Sequence, residues 1–319
     1  MSAPILQVKD LRVYYHTEAG AVKAVDGVSF DLEPGIRMGL VGESGCGKST
    51  MAMALMRLIK EPGRIEGGEV LLDGVDLTKL SEEEMRQRRL SEISLIPQGA
   101  MNSLNPVMRV KDQIIDGMKD HGVELSEQEM MARVYEVLDS VDLEHEVATM
   151  FPHELSGGMK QRVCVAIAIS LHPKVVIADE PTSALDVVVQ RQVMETIQHL
   201  QENLGISMIL IGHDMGLMAQ SVERLAVMYA GKLAEIGEVE GVFSKPLHPY
   251  TELLISTLPV LGRKGVFTGI PGITPSLLEP PSGCLFHPRC PKAFDRCSQE
   301  IPELREVEPG RFVACHLYD

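Results

Sequence analysis

The segment from residue 42 to residue 49 constrains this chain more than any other feature of its sequence. It reads Gly-Glu-Ser-Gly-Cys-Gly-Lys-Ser, follows the apolar run Arg37-Met-Gly-Leu-Val41 and opens a helical pattern that continues to Ile59. Loops of the form G-x-x-x-x-G-K-[ST] between a strand and a helix wrap their backbone N–H groups around phosphates. We therefore predict a phosphate loop in which Lys48 reaches the β and γ phosphates and Ser49 binds Mg²⁺. A chance glycine-rich turn is disfavoured by the flanking strand and helix patterns.

Apolar runs alternate with helical periodicity in the rest of the first 245 residues. Continuous apolar runs at Val175–Ala178 and Ile206–Ile211 are typical of parallel strands that are buried on both faces. Between them, apolar residues recur at helical spacing up to Gly205, which predicts an amphipathic helix with a glycine C-cap. This alternation predicts a doubly wound α/β core. Two earlier segments, Ile5–Tyr15 and Val25–Leu32, have strand patterns.

Two capping boxes in the first half of the chain predict the starts of two helices. Ser81 is followed by Glu84, and Ser126 by Glu129, at the spacing at which the serine and the acidic side chain cap one helix end. Residues 100 to 165 are accordingly predicted to form a helical insertion, with one helix beginning near Lys160.

Composition excludes several classes of protein. The 319 residues are 45% hydrophobic and 24% charged, which is typical of a globular protein with one large domain and an appendage, or with two domains. The net charge of −15 argues against a protein that binds the phosphate backbone of a nucleic acid, because that backbone is itself negatively charged. No apolar run approaches the roughly 18 residues that a membrane span needs. The first ten residues lack the features of a signal peptide, so we expect a cytosolic protein.

Two carboxylates follow the buried strand Val175–Ala178. In doubly wound sheets ligands bind at this edge, so Asp179 is predicted to hold Mg²⁺ and Glu180 to polarise a water for attack on the γ-phosphate. His213 ends the next strand at a similar edge and is a candidate contact to the γ-phosphate. The alternatives are a solvated acidic turn and a structural histidine.

Ahead of a predicted helix, the chain reads Leu155-Ser156-Gly157-Gly158-Met159-Lys-Gln-Arg162. This segment resembles the signature of the ABC transporter ATPases. The resemblance also includes the phosphate loop, Asp179-Glu180, Ser183-Ala-Leu-Asp186 and His213. The resemblance covers residues 1 to about 245. It implies an ABC-type nucleotide-binding domain, which has a RecA-like core, an antiparallel β subdomain and a helical insertion.

The same resemblance implies how ATP is bound. Two heads sandwich two nucleotides, and the signature of one subunit closes over ATP held by the phosphate loop of the other. Gln98 is similar to the Q-loop glutamine that touches Mg²⁺ and senses the membrane partner. Tyr15 falls where the family stacks an aromatic ring on adenine, with Tyr14 as the rival because strand alternation would bury only one of the two. The predicted nucleotide contacts are Tyr15, Gly42, Ser44, Gly45, Cys46, Gly47, Lys48, Ser49, Thr50, Gln98, Ser156, Gly157, Gly158 and Asp179, with Glu180 and His213 as catalytic residues.

Two segments resemble one subfamily in particular, the ATPases of dipeptide and oligopeptide importers, some of which transport nickel. These segments are Gln98–Val110 and Pro246–Leu254. That resemblance implies a peripheral protein on the cytoplasmic face of the inner membrane. The implied partners are a second ATPase subunit, which the resemblance favours as a paralogue, and two integral-membrane permeases. An extracytoplasmic peptide-binding protein is an indirect partner, and no nucleic acid is expected. Two positions depart from the usual patterns. Met159 stands where glutamine is commonest, and Gly99 where an acidic residue is usual.

The last part of the chain is rich in proline and cysteine, so we predict an ATPase domain at 1–245 and an irregular extension at 246–319. Its cysteines have the spacing C-x5-C-x6-C-x17-C. Cytosolic location disfavours disulfides, and zinc sites more often use tighter pairs, although His287 and His316 keep zinc as an alternative. Four thiolates suit a [4Fe–4S] cluster, which the resemblance to peptide importers also implies. The predicted ligands are Cys284, Cys290, Cys297 and Cys315.

Two other cysteines lie in the ATPase domain. Cys46 and Cys164 are expected to be packing residues, and Cys46, at a helix N-terminus, is a candidate for a lowered pKa. Residues Gly42 to Lys48 and Asp179 to His213 are expected to lie on an α/β core that is separate from the extension. We therefore expect ATP binding to survive the loss of a cysteine ligand.

The sequence thus predicts the ATPase subunit of a peptide importer. The alternatives are a nickel importer ATPase, a soluble ABC ATPase of DNA repair or translation with a zinc-bearing tail, and an ATPase gated by a redox-sensing tail.

Overall fold

The computed structural model of the chain describes residues 3–99, 102–183, 185–258 and 269–319. The strands are β1 (Leu6–Thr17), β2 (Gly20–Leu32), β3 (Arg37–Val41), β4 (Gly63–Leu72), β5 (Val75–Asp76), β6 (Ile93–Ile96), β7 (Val175–Asp179), β8 (Ser207–Gly212), β9 (Arg224–Tyr229), β10 (Lys232–Glu238), β11 (Arg305–Glu308) and β12 (Arg311–Val313). The α-helices are α1 (Lys48–Leu55), α2 (Glu82–Arg88), α3 (Val110–Asp120), α4 (Glu127–Asp139), α5 (Gly157–Ile169), α6 (Val187–Leu204), α7 (Met215–Ser221), α8 (Val239–Ser244) and α9 (Pro249–Ser256).

The chain folds as two compact units, each built from separate stretches of sequence. The first unit contains Leu32–Arg37, Asp76–Ile211 and the chain before Gln7. The second contains Gln7–Asp31, Met38–Val75 and Gly212–Asp319. No helix in the described parts of the chain has the length and apolar character that crossing a membrane requires.

The first unit is built on parallel strands in the order β8-β7-β6. In this pairing Val175 of β7 lies opposite Ile93 of β6 on one side and Ser207 of β8 on the other. Every residue of β7 and β8 is buried, which confirms the prediction of fully buried parallel strands. Helices α3 to α6 pack with one another and with β6 through α5.

The helices of this unit begin and end largely where their caps predict. Both predicted capping boxes are present, at Ser81 for α2 and at Ser126 for α4. Helix α6 ends at Gly205, whose φ of 65° is the left-handed conformation expected of a glycine C-cap. The predicted start of α5 near Lys160 is wrong by one turn, because Ser156 accepts the backbone N–H of Met159 and starts the helix at Gly157.

The second unit contains one four-stranded sheet and part of another. The first has the order β2-β1-β4-β5. The other strands follow the order β11-β12-β10-β9-β3, in which β3 and β9 are parallel and the remaining neighbours are antiparallel. Strand β3 is buried throughout and leads directly into the glycine-rich loop, whose helix α1 ends at Leu55 instead of the predicted Ile59.

The C-terminal segment, defined here as residues 269–319, is less irregular than the sequence predicts. Strand β12 extends the sheet by pairing with β10, so that Phe312 lies opposite Ile236 and Val313 opposite Glu235. Phe286 is completely buried with Tyr250 of α9 and Tyr229 of β9, the rings packing 4.6 to 5.3 Å apart. The C-terminal segment therefore shares a core with β9, β10 and α9.

A buried carboxylate holds this region together. Glu235 is fully buried, and its oxygens accept hydrogen bonds from the backbone N–H groups of Leu247 and His248 and from the guanidinium of Arg311. These three donors supply the charge and the hydrogen bonds that a buried carboxylate needs. The chain entering α9 and the strand β12 are thereby fixed to β10.

His248 forms the N-cap of α9 in its neutral state. Its Nδ1 accepts the backbone N–H of Tyr250 at 3.0 Å, and only an unprotonated Nδ1 can accept. The side chain is buried, and burial lowers the pKa of the imidazole to about 4. In the unfolded chain a histidine titrates near its usual value of about 6.5.

We therefore predict that acid destabilises the protein through His248. The unfolded state binds a proton that the folded state does not, so stability is lost as the pH falls from about 6.5 to about 4, by up to about 1.4 kcal/mol per pH unit. Urea unfolding at several pH values measures this slope. His248→Asn keeps a cap acceptor and should reduce the dependence of the unfolding free energy on pH. His199→Asn, at an exposed site on α6, should leave this dependence unchanged. The same slope in the parental and His248→Asn proteins would show that His248 is not responsible.

Candidate functional site

The loop after β3 can be built only with glycine at two positions. Gly42 has a φ of 155°, and a Cβ there would collide with the backbone carbonyl of Met228. Gly47 has a φ of 108°, and a Cβ there would collide with the carbonyl of Ala24. The loop therefore lies directly against the backbones of β9 and β2, with Ser44 and Gly45 exposed at its tip.

Lys48 is held inside this loop. The side chain is buried, and its amino group donates to the carbonyl oxygens of Gly42 at 2.8 Å and Glu43 at 3.0 Å. Gly47 caps α1 without a side-chain acceptor, so the first N–H groups of the helix receive no side-chain cap. The start of a helix, with the positive end of its dipole, and a buried lysine are together the features of a candidate phosphate site.

Cys46 does not have the lowered pKa that its position predicted. The side chain is completely buried, and burial raises the pKa of its thiol, although Lys48 acts in the opposite direction. Burial likewise raises the pKa of Cys164 to about 12. Both cysteines are packing residues, as predicted.

The two tyrosines of β1 have different neighbours. The hydroxyl of Tyr15 lies 3.5 Å from that of Thr50, on the helix that follows the phosphate loop. The hydroxyl of Tyr14 donates to Asp26 at 2.6 Å, and burial together with this carboxylate raises the pKa of Tyr14 to about 12. Both side chains are half-buried, so the prediction that alternation buries only one is wrong. Tyr15 is the tyrosine that lies beside the phosphate loop.

The predicted carboxylates lie at the end of β7 in the first unit. Asp179 is buried, and Glu180 follows it with a φ of 47°, held by its backbone N–H, which donates to the carbonyl of Ile211. The side-chain amide of Gln98 donates to Oε2 of Glu180 at 2.9 Å. The structure therefore joins two residues that are 82 positions apart in the sequence and orients the Glu180 carboxylate.

The signature segment forms the start of α5. Ser156 is the exposed N-cap of this helix, Gly157 is its first residue, and Gly158 is buried. A Cβ at Gly158 would lie 2.6 Å from a methyl group of Val189, so glycine allows α5 to approach α6 closely. Asp186 caps α6 by accepting the N–H groups of Val188 and Val189.

The predicted site residues thus fall into two groups. Tyr15 and Gly42 to Thr50 belong to the second unit, as does His213, which is exposed beyond β8. Gln98, Ser156, Gly157, Gly158, Asp179 and Glu180 belong to the first unit.

The four cysteines of the C-terminal segment interact electrostatically in all six pairs. Burial raises the pKa of Cys315 to about 11, and the charges of the other three thiols act in the same direction. Burial and neighbouring thiols also raise the pKa of Cys284 and Cys290. The backbone N–H of Cys284 donates to the carbonyl of Cys297 at 2.8 Å. In the described residues, however, no three His, Cys, Asp or Glu side chains are arranged as a metal coordination sphere.

The two histidines of the zinc alternative have other partners. Both ring nitrogens of His316 lie in hydrogen-bond contact, with Asp319 and with the carbonyl of Glu300. Nδ1 of His287 lies 2.9 Å from the carbonyl of Cys284. His316 would have to break a hydrogen bond to bind a metal.

Four residues around the phosphate loop were not predicted. Arg289 of the C-terminal segment binds Glu43 within the loop, and Thr274 and Tyr250 also bind Glu43. Tyr229 in turn lies beside Arg289. The expectation that the extension lies apart from the nucleotide motifs is therefore wrong. Glu43 was visible within the motif, but no local pattern connects it with residues more than 200 positions away.

Comparison with known families places two matches on the chain. A family model described as "ABC transporter" matches residues 25–183, and one described as "Oligopeptide/dipeptide transporter, C-terminal region" matches residues 234–297. The two matches include the phosphate loop and three of the four C-terminal cysteines.

Curated relatives match along almost the whole chain. The "Dipeptide transport ATP-binding protein DppD" of Caldanaerobacter subterraneus subsp. tengcongensis is 43% identical over 99% of this chain and 97% of the relative. The "Oligopeptide transport ATP-binding protein OppD" of Escherichia coli is 43% identical over 98% of this chain and 92% of the relative.

Among solved structures, the dimeric ABC transporter cassette MJ0796 superposes with a TM-score of 0.66 at 26% identity. The match covers 73% of this chain and 98% of the cassette. A second structure of that cassette, in a post-hydrolysis state bound to ADP and Pi, matches equally well. The cassette fold is thus shared with a protein that binds a nucleotide.

Proposed function

The chain belongs to the ABC transporter ATP-binding proteins of the dipeptide and oligopeptide group, and from that premise we propose that it hydrolyses ATP to drive import of di- or oligopeptides. The observation that carries this proposal is the phosphate loop, in which Gly42 and Gly47 permit a close backbone turn around buried Lys48. The match of the C-terminal region favours peptide import over the soluble ABC ATPases of DNA repair or translation.

We assign the binding of ATP to the phosphate loop. Its N–H groups and Lys48 would face the β and γ phosphates, and Tyr15, beside Thr50, would stack on the adenine. We propose Ser49, Gln98 and Asp179 as ligands of Mg²⁺, which when bound neutralises charge on the phosphates. Ser156, Gly157 and Gly158 would close over ATP held by a second ATPase subunit.

Hydrolysis is assigned to Glu180. Its carboxylate would accept a proton from water as the water oxygen attacks the γ-phosphorus and the bond to the ADP oxygen breaks. Gln98 donates to this carboxylate, so it would hold the base in one orientation. His213 would contact the γ-phosphate as a further hydrogen-bonding group.

We predict that two substitutions separate binding from hydrolysis. Lys48→Ala removes the charge that faces the phosphates and should abolish ATP binding, whereas Glu180→Gln should keep ATP binding and lower turnover by about 10²–10⁴-fold. Equilibrium binding of ATP and release of phosphate measure the two effects. The control is Glu195→Gln, an exposed carboxylate on α6, which should change neither. Parental turnover in Glu180→Gln would refute the assignment of the base.

We further propose that the chain attaches peripherally to the cytoplasmic face of the membrane through two integral permease subunits. Gln98 and the insertion helices α3 and α4 would form the contact, and an extracytoplasmic peptide-binding protein would deliver the substrate. Helices α3 and α4 pack against each other and against α5, which carries the signature at its N-terminus. A displacement of α3 and α4 by a permease would therefore move the signature segment at the start of α5.

Attachment is predicted to depend on the permeases. In cells that lack both permease subunits, the chain should move from the membrane fraction to the soluble fraction in a fractionation experiment. Lys48→Ala serves as the control, because it should stay with the membrane when the permeases are present. Membrane binding without the permeases would indicate a direct lipid contact instead.

For residues 246–319 we propose an extension of the ABC cassette whose four cysteines bind a [4Fe–4S] cluster. This proposal rests on the residue types, because the four thiols act on one another's pKa values and four Cys thiolates are the ligand set of such a cluster. The raised pKa values of Cys284, Cys290 and Cys315 mean that ligation would release protons and would weaken at low pH.

The cluster is predicted to depend on each cysteine of this group. Protein purified without oxygen should be brown with about four irons per chain, and Cys290→Ser should lose the colour and the iron. Cys164→Ser is the matched control, because Cys164 is a buried cysteine of the other unit. One zinc per chain without visible absorption, even after reconstitution with iron and sulfide, would exclude the cluster.

A further inference from the structure

Glu43, the second residue of the phosphate loop, forms a bidentate ion pair with the C-terminal segment. Nη1 of Arg289 lies 2.6 Å from one carboxylate oxygen and Nη2 lies 2.8 Å from the other. Paired N–H donors of this kind fix the direction of a carboxylate as well as its position. The guanidinium holds the pKa of Glu43 below its usual value, so the pair stays charged at neutral pH.

Arg289 is itself fixed on every side. Its side chain is only 4% exposed, and all five of its N–H donors have acceptors. Besides Glu43, these are the carbonyl oxygens of Pro271 and Ile270 and the hydroxyl of Tyr229. A buried guanidinium with every donor bound has one position, so its contact with the loop is a rigid one.

Two further residues from the C-terminal part of the chain, Tyr250 and Thr274, also hold Glu43. Its N–H donates to the hydroxyl of Tyr250 in α9 at 2.8 Å, and Thr274 donates to its carboxylate at 3.1 Å. Its carbonyl oxygen accepts the amino group of Lys48. The residue that the C-terminal segment holds is therefore one of the two whose carbonyls position the lysine.

We propose that Arg289 is a positioning residue for the phosphate loop, which it holds in the ATP-binding conformation through Glu43. This inference rests on the proposed function, because it assumes that the loop binds ATP. Arg289 acts on affinity and not on the chemical step, since neither it nor Glu43 supplies a proton or a nucleophile. Arg289 directly precedes Cys290, so the same contact links the cysteine group to the nucleotide.

The test compares ATP binding and turnover in Arg289 variants of the full chain. Arg289→Lys keeps the charge but loses the paired donors, and Arg289→Ala loses both. We expect the Kd for MgATP to rise about tenfold or more, and kcat at saturating ATP to stay near the parental value. Arg296→Ala is the control, because this arginine of the same segment pairs with Glu300 and Asp319 and should bind ATP as the parental protein does.

A double-mutant cycle shows whether Arg289 acts through Glu43. Glu43→Gln keeps the shape of the side chain and removes its charge, so Arg289→Lys should weaken ATP binding much less in that background than in the parental one. Equal weakening in both backgrounds, or parental affinity in Arg289→Lys, would overturn the proposal. Tyr250→Phe serves if the arginine variants do not fold. It removes only the hydroxyl that holds Glu43 and should also raise the Kd, and an unchanged Kd would contradict the proposal.

The outcome also separates this inference from the proposed function. If the parental chain binds MgATP and Lys48→Ala does not, while Arg289→Lys binds like the parental chain, only the role of Arg289 is wrong. If the parental chain does not bind MgATP at all, both are wrong.

Discussion

Two backbone carbonyls, those of Met228 and Ala24, occupy the space that side chains would need at Gly42 and Gly47. The phosphate loop is thereby pressed against β9 and β2, and it follows a path that only glycine permits. Because the path is fixed, Lys48 can be buried with its amino group on the carbonyls of Gly42 and Glu43. A phosphate group would offer this lysine a stronger, charge-assisted partner than the two carbonyls.

The C-terminal segment supports the same loop from another direction. Arg289 of this segment forms the ion pair with Glu43, and the segment's strand β12 pairs with β10. The hydroxyl of Tyr250, in the preceding helix α9, also holds Glu43. Their anchor is the buried carboxylate of Glu235, whose partners fix both α9 and β12 to β10. The segment is thus part of the core of the second unit. A conformational change at the four cysteines would alter the phosphate loop, because Cys290 is adjacent to Arg289, which holds Glu43.

Local sequence patterns predicted the parts of the fold that depend on local physics. The loop glycines, the buried strands β7 and β8, the caps at Ser81 and Ser126 and the end of α6 at Gly205 each follow from neighbouring residues. Pairings across long distances could not be predicted in this way. Neither the contact between Arg289 and Glu43 nor that between β12 and β10 has a local signal, since both depend on how the whole second unit closes. The pKa of Cys46 was predicted wrongly because burial outweighs the helix terminus at that position.

Hydrogen–deuterium exchange with and without MgATP tests the account most directly. Bound phosphates would occupy the N–H groups of the loop, and the ion pair of Glu43 would transmit the ordering to its partners. The account predicts slower exchange at residues 42–50 and, in the same experiment, at residues 286–290. Unchanged exchange in the loop at saturating MgATP would contradict it.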